Sequence, residues 1–188
     1  DRVIVLGGGE AVDGGLADAL IAAQKMLSEG EAVDAAQTFA AILEEEPTNV
    51  GAYTGLVQSH LALGDLEQAE AILNGAPAEI SQAPEMEAVH AQLELAKQAL
   101  NAGPLSELQA AVDADSDNHQ ARIEMAIALH AGGDSEAAVE QLLELFRRDR
   151  EWNDGAAKVQ LFTIFDALPV NDPVVLNGRR KLSSLIFA

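Results

Sequence analysis

The chain has 188 residues, 48% apolar but only 4% aromatic, and a formal net charge of −20. Its lack of cysteine excludes disulfides, thiolate metal sites and a cysteine nucleophile. No apolar run approaches the ~18 residues a membrane span needs, and a body this acidic repels phosphate backbones, so neither membrane nor nucleic acid is an expected partner.

Alanine is abundant and β-branched runs are few, which points to an all-α chain with closely packed helices. The opening stretch, DRVIVLGGGEAVDGG, stands apart. Its glycines suggest a phosphate loop, but G-x-G-x-x-G fails at Val12 and no βαβ unit follows, so residues 1–15 are read as a linker or docking segment. A start at Asp1, without a basic leader or a cleavage pattern, suggests a fragment of a longer protein rather than a signal peptide.

Helical stripes follow in chain order. Leu16, Leu20, Ala23 and Leu27 share one face, then Val33, Ala36, Ala40 and Leu43. Met86, Val89, Leu93, Ala96 and Leu100 form the longest stripe, continued by Leu105, Leu108 and Val112 after Gly103-Pro104. Ala157, Leu161, Ile164 and Leu168 make another, and Val175, Gly178, Leu182 and Leu185 the last, opened by Asp172-Pro173. Breaks are expected near Gly30, 46–49, Gly64, 75–84, Gly103, 115–118, Gly132-Gly133, 149–153 and 169–172, giving about ten helices. The pair at about 85–115 is irregular, with a long first helix and a short second one.

A repeat underlies the pattern. Gly30-Glu31 with Ala35, Gly64-Asp65 with Ala69, and Gly133-Asp134 with Ala138 recur after 34 and then 69 residues, the second interval being two periods plus one. Glycine can end a helix in a left-handed conformation, the acid suits the positive start of the next helix, and the small alanine allows close approach. A 34-residue helix–turn–helix period is the tetratricopeptide spacing. The expected fold is an all-α tetratricopeptide-repeat right-handed superhelix of about five antiparallel helix pairs. Repeats would occupy residues 16–150, and residues 151–188 would form a C-terminal capping helix pair of the same domain.

No motif carries catalysis. His60, His90, His119 and His130 show no metal-ligand spacing, and Asp113, Asp115 and Asp117 alternate as in a calcium loop but lack its glycine. The chain is therefore read as a non-enzyme without cofactor or metal. Stacked helix pairs offer a concave face to peptides or protein surfaces. By analogy with tetratricopeptide repeats, its groove positions include Leu20, Gln24, Thr54, Gln58, Ile123 and Ile127. They are neutral, and the Lys/Asn pairs that clamp a peptide carboxylate in some adaptors are missing.

The charge is uneven. Residues 1–146 hold 4 Lys and Arg against 26 acids, whereas residues 147–188 hold 7 against 5. The ending combines Arg179, Arg180 and Lys181 with Leu182, Leu185, Ile186 and Phe187. One helix face, Val175, Gly178, Leu182 and Leu185, is expected to cap the repeats. The other would present Arg179, Arg180, Lys181, Ser184 and Phe187 to a partner.

Residues 142–187 resemble the C-terminal end of the chaperedoxins, bacterial thioredoxin-like proteins whose thioredoxin fold precedes tetratricopeptide repeats, and a weaker likeness extends over residues 16–188. The matching elements are Arg148-Asp149, Asp154-Gly155, the helix through Phe162 and Phe165, Asp172, and Arg179-Arg180 with Leu182. The resemblance implies a cytoplasmic bacterial co-chaperone that holds unfolding client proteins and passes them to a GroEL-type chaperonin through its C-terminal helix. It also implies an N-terminal thioredoxin domain as a further partner, which would hold any redox cysteine. A general peptide-binding adaptor of an assembly or secretion system is the alternative.

Overall fold

The structure is a computed structural model describing residues 10–187. The apolar run and glycines of residues 3–9 lie outside the described residues. Ten helices follow in order: α1 (Glu10–Ser28), α2 (Ala32–Glu45), α3 (Val50–Ala62), α4 (Leu66–Asn74), α5 (Pro84–Asn101), α6 (Leu105–Ala114), α7 (His119–Ala131), α8 (Ser135–Arg148), α9 (Trp152–Ala167) and α10 (Pro173–Phe187). No strand occurs among the described residues. The expected breaks fall between helices, except that α5 already starts at Pro84 and α9 at Trp152. Helix α1 begins at Glu10, within the segment read as a linker or docking element.

The Gly–acid repeat forms one device three times. Gly30, Gly64 and Gly133 have φ of +86°, +75° and +90°. The next residue's N–H reaches back to a carbonyl in the preceding helix: Glu31 to Met26 (2.9 Å), Asp65 to His60 (2.9 Å) and Asp134 to Leu129 (2.9 Å). This is a Schellman closure, which a Cβ at the left-handed position would strain. Two of the acids then cap the following helix, Asp65 accepting from the Gln68 N–H (3.2 Å) and Asp134 from that of Ala137 (3.0 Å). Glu31 makes no such side-chain cap. The alanines of the motif, Ala35, Ala69 and Ala138, are fully buried.

The contacts divide into two units, Asp1–Val89 and His90–Ala188, with the division inside α5. In the first, α1, α2 and α3 pack around Ala23, Ala35, Phe39, Ile42 and Ala52. The inward face of α2 is Ala32, Ala35, Phe39 and Ile42, not the expected Val33 stripe. Val33 is 54% exposed, because burying the large Phe39 ring turns the helix by about one residue. That ring sits directly under Gly55 of α3, where a Cβ would come within 2.3 Å of it.

In the second unit, α6 packs on α7, α7 on α8, and α9 and α10 both on α8. The expected last pair is therefore arranged around α8. A single core joins Val139, Leu142 and Leu145 of α8 to Leu161, Ile164 and Phe165 of α9 and to Val175 and Leu182 of α10. From α5, Leu95 enters this core while Leu100, expected inside, is 76% exposed. Gln92 Nε2 donates to the Ala167 carbonyl (3.0 Å), and Gln160 Nε2 donates to Gln98 Oε1 (2.7 Å), tying α5 to α9.

Candidate partner-binding surface

Asp172 starts α10, accepting from the Val174 N–H at its side chain (2.8 Å) and from the Leu176 N–H at its carbonyl (3.0 Å). Val175, Gly178 and Leu182 face inward and are buried. At Gly178 a Cβ would lie 2.7 Å from the Phe165 ring and 3.1 Å from Val139 Cγ1, so glycine is what lets α10 approach. Arg179, Arg180, Lys181, Ser184 and Phe187 are all exposed, Phe187 at 86%.

These five residues share a helix but not one cluster. Arg179 leans toward α9, its guanidinium 5.6 Å from the Phe165 centroid and 3.8 Å from an Asp166 carboxylate oxygen. Lys181 pairs with Glu140 of α8. Arg180 donates to Asn177 Oδ1 (2.9 Å), and Ser184 Oγ donates to the Arg180 carbonyl (3.1 Å). Arg150 donates to the Leu185 carbonyl, tying the turn before α9 to the end of α10.

Two grooves border this helix. One of about 570 Å³ runs between α8 and α10, lined by Leu143, Arg147, Arg180, Lys181, Ser184 and Leu185 together with Glu140 and Glu144. The other, about 510 Å³, is lined by Phe146, Val159, Phe162 and Ile186, with Arg150, Glu151, Asp154 and Lys158 at its edge. It lies beside a left-handed run at Asn153, Asp154 and Gly155, with φ of +48°, +57° and +78°. Asparagine and aspartate tolerate this region better than other non-glycine residues, so the composition of the turn matches its conformation.

A charge network absent from the sequence reading supports α8. Arg147 donates to both Glu144 oxygens (2.8 and 2.7 Å), and Arg148 Nε donates to one of them (2.6 Å) while its Nη1 pairs with Asp117 (2.7 Å). The hydrogen bonds from Arg147, joined by those from Arg148, hold the Glu144 carboxyl down to about 2, against some opposition from burial. Its stabilising contribution is complete above its ordinary value of 4.5 and is lost as pH falls through about 2. Urea midpoints followed by the fluorescence of Trp152 should therefore fall faster between those values in the wild type than in Glu144→Gln. Nearby, Arg122 is 94% buried by its 6% exposure, with Nη1 on Gln141 (2.7 Å) and Nη2 on the Ser116 carbonyl (2.9 Å). Burial lowers its pKa. A basic residue between Ala121 and Met125 on an apolar face was the sequence signal for it.

The Asp113, Asp115 and Asp117 run has local duties. Asp113 accepts from Gln109 (2.9 Å), Asp115 accepts from the Asp117 N–H (3.0 Å), and Asp117 holds Arg148.

The predicted groove positions are split between the units. Gln24, Thr54 and Gln58 line one groove of about 370 Å³ with Phe39 and Gly51, and Leu20 packs against the Gly51 position (3.1 Å to an ideal Cβ). Ile123 is half-buried against the second unit's core, and Ile127 is half-buried on the same helix.

Stacked helix pairs with Schellman glycines, buried motif alanines and open interhelical grooves define a protein-binding repeat. Tetratricopeptide-repeat models match residues 26–93 and 98–187, the second running through α9 and α10. The chain is a tetratricopeptide-repeat protein of the helical-solenoid class, and such repeats bind protein partners. It is similar to an uncharacterised protein of Haemophilus influenzae, 29% identical over 130 residues that cover 69% of this chain and 59% of that protein. It is also similar to the crystal structure of a domain of a Vibrio parahaemolyticus protein of unknown function, at 24% identity and a TM-score of 0.42, covering 88% of this chain and 96% of that one. No helix among the described residues is long and apolar enough to cross a membrane.

Proposed function

We propose that this chain is the protein-binding repeat domain of a thioredoxin-like co-chaperone, holding unfolding clients and delivering them to a GroEL-type chaperonin through the outer face of α10. The observation that carries the reading is that α10 is anchored by one face and solvent-exposed on the other. Val175 and Leu182 fix it to the core, while Phe187 is 86% exposed and the exposed Arg180 lies two turns earlier on the same side of the helix. Exposed aromatics and arginines on one helix face are the residue types enriched at protein interfaces. The likeness of the last 45 or so residues to chaperedoxins supports the choice of partner, a thioredoxin domain preceding the repeats, and a cytoplasmic setting.

Phe187→Ser combined with Arg180→Glu alters only exposed side chains. Binding to purified chaperonin is expected to weaken at least about tenfold with an unchanged urea midpoint. The wild-type chain should also delay aggregation of a chemically denatured enzyme. A chain that neither binds chaperonin nor delays aggregation, yet takes a defined peptide on the Gln24–Thr54–Gln58 groove, would instead be the peptide-binding adaptor.

A further inference from the structure

The geometry points to the groove between α8 and α10 as a site for an acidic, apolar segment of a partner protein, its apolar side chains on Leu143 and Leu185 and its carboxylates on Arg147 and Arg180. This rests on the reading of α10 as a partner-binding element, and adds a second helix and the chemistry of the ligand.

Three cations line the groove, Arg147, Arg180 and Lys181, against Glu140 and Glu144. Both carboxylates are engaged within the protein, Glu140 by Lys181 and Glu144 by Arg147 and Arg148. Two guanidinium groups keep donors for a ligand. Arg147 uses Nε and Nη2 on Glu144, leaving Nη1 without a partner among the described residues. Arg180 meets only the Asn177 amide oxygen and no carboxylate among the described residues. Guanidinium edges of this kind take carboxylates with two parallel hydrogen bonds. Glu144 is a positioning residue, because its doubly bonded carboxylate holds the Arg147 fork at the groove edge.

The other grooves lack this selectivity. The one beside Phe162 and Ile186 balances Arg150 and Lys158 against Glu151 and Asp154, and the one at Gln24 and Thr54 carries no charge. On a chain of net charge −20, a cationic groove is where an acidic segment gains attraction, and the surrounding acidic surface repels it elsewhere. The apolar floor and a volume of about 570 Å³ suit a few side chains.

Selection of a random decapeptide phage library on the immobilised full chain tests this. The expected outcome is enrichment of Asp and Glu together with Leu or Phe. A synthetic copy of the enriched peptide should bind in fluorescence anisotropy, and should weaken at least about tenfold when its acids become Asn and Gln. Raising NaCl from about 50 to 500 mM should weaken it several-fold. Ser184→Trp fills the groove from an exposed position without removing a cation, and should lose the peptide at an unchanged urea midpoint. Should that variant not fold, Arg147→Gln with Arg180→Gln gives the same readout. Enrichment of basic or uncharged peptides, no enrichment at all, preference for a dT20 oligonucleotide over the peptide, or an acidic peptide unaffected by both variants would overturn the site. Phe187→Ser separates this from the chaperonin reading. It should retain the peptide while losing chaperonin, so a peptide failure with intact Phe187-dependent chaperonin binding condemns only the groove.

Discussion

Truncation before Pro173 is expected to unfold the unit His90–Ala188, rather than only strip it of a binding element. Val175 is fully buried and Leu182 is 3% exposed, both in the core that holds Leu142, Leu161 and Phe165. Burial of two such side chains stabilises by about 2 kcal/mol each, and their loss also uncovers the residues they protect. The total is a large share of the roughly 5–15 kcal/mol that separates a native domain from its unfolded state. Trp152, the only tryptophan of the chain, packs against this core and reports it selectively. Its urea transition should broaden or disappear in the truncated chain while part of the helical circular dichroism persists from the other unit. A truncated chain with an unchanged Trp152 transition would show that α10 adds nothing to the core. For the same reason, loss of partner binding on truncation is weak evidence about α10, whereas changes at Phe187 and Arg180 leave the inner face untouched.

The second large effect is expected at Gly55. A Cβ there would lie 2.3 Å from Phe39 Cζ, and Phe39 is fully buried. Overpacking of this kind costs typically 1–3 kcal/mol, whereas alanine in a helix gains about 1 kcal/mol over glycine. With the ring so near, the clash should dominate, giving a net loss of about 1–2 kcal/mol and a drop in Tm of roughly 4–8 °C or somewhat beyond. Phe39→Leu in the same chain should cancel much of the additional loss, and the resulting coupling energy measures the contact. Gly15→Ala is the control, since a Cβ there meets nothing within 4 Å; it should raise stability. Equal effects at the two positions would mean that Phe39 yields easily. Gly178, where a Cβ would lie 2.7 Å from the Phe165 ring, should behave as Gly55 does.

These two glycines show where sequence reading succeeds and where it stops. Gly178 could be flagged from the chain alone, because glycine in the middle of an apolar helical stripe weakens the helix unless something packs closely on it. Gly55 sits in a stretch without so clear a stripe, and its partner Phe39 lies 16 positions earlier on a helix whose inner face the periodicity misassigned. Several small alanines around Phe39 gave two plausible faces, and only contact with α3 chose between them. The candidate site divides in the same way. The exposure of Phe187 and the two-faced character of α10 were legible from spacing. The Glu144–Arg147–Arg148–Asp117 network and the α8 wall of the groove were not.

By itself, the sequence determined the helical class, the breaks between helices and the repeat. Each of these follows from local chemistry: a left-handed glycine, an acid at a helix start, and apolar residues at helical spacing. Only the tertiary structure decided that α10 lies along α8, that α5 is held by α9 through Gln92 and Gln98, and that the cations of the ending separate toward different neighbours. Those outcomes depend on which surfaces meet across many residues of chain, and side-chain volume and charge at the meeting point settle them rather than any local preference.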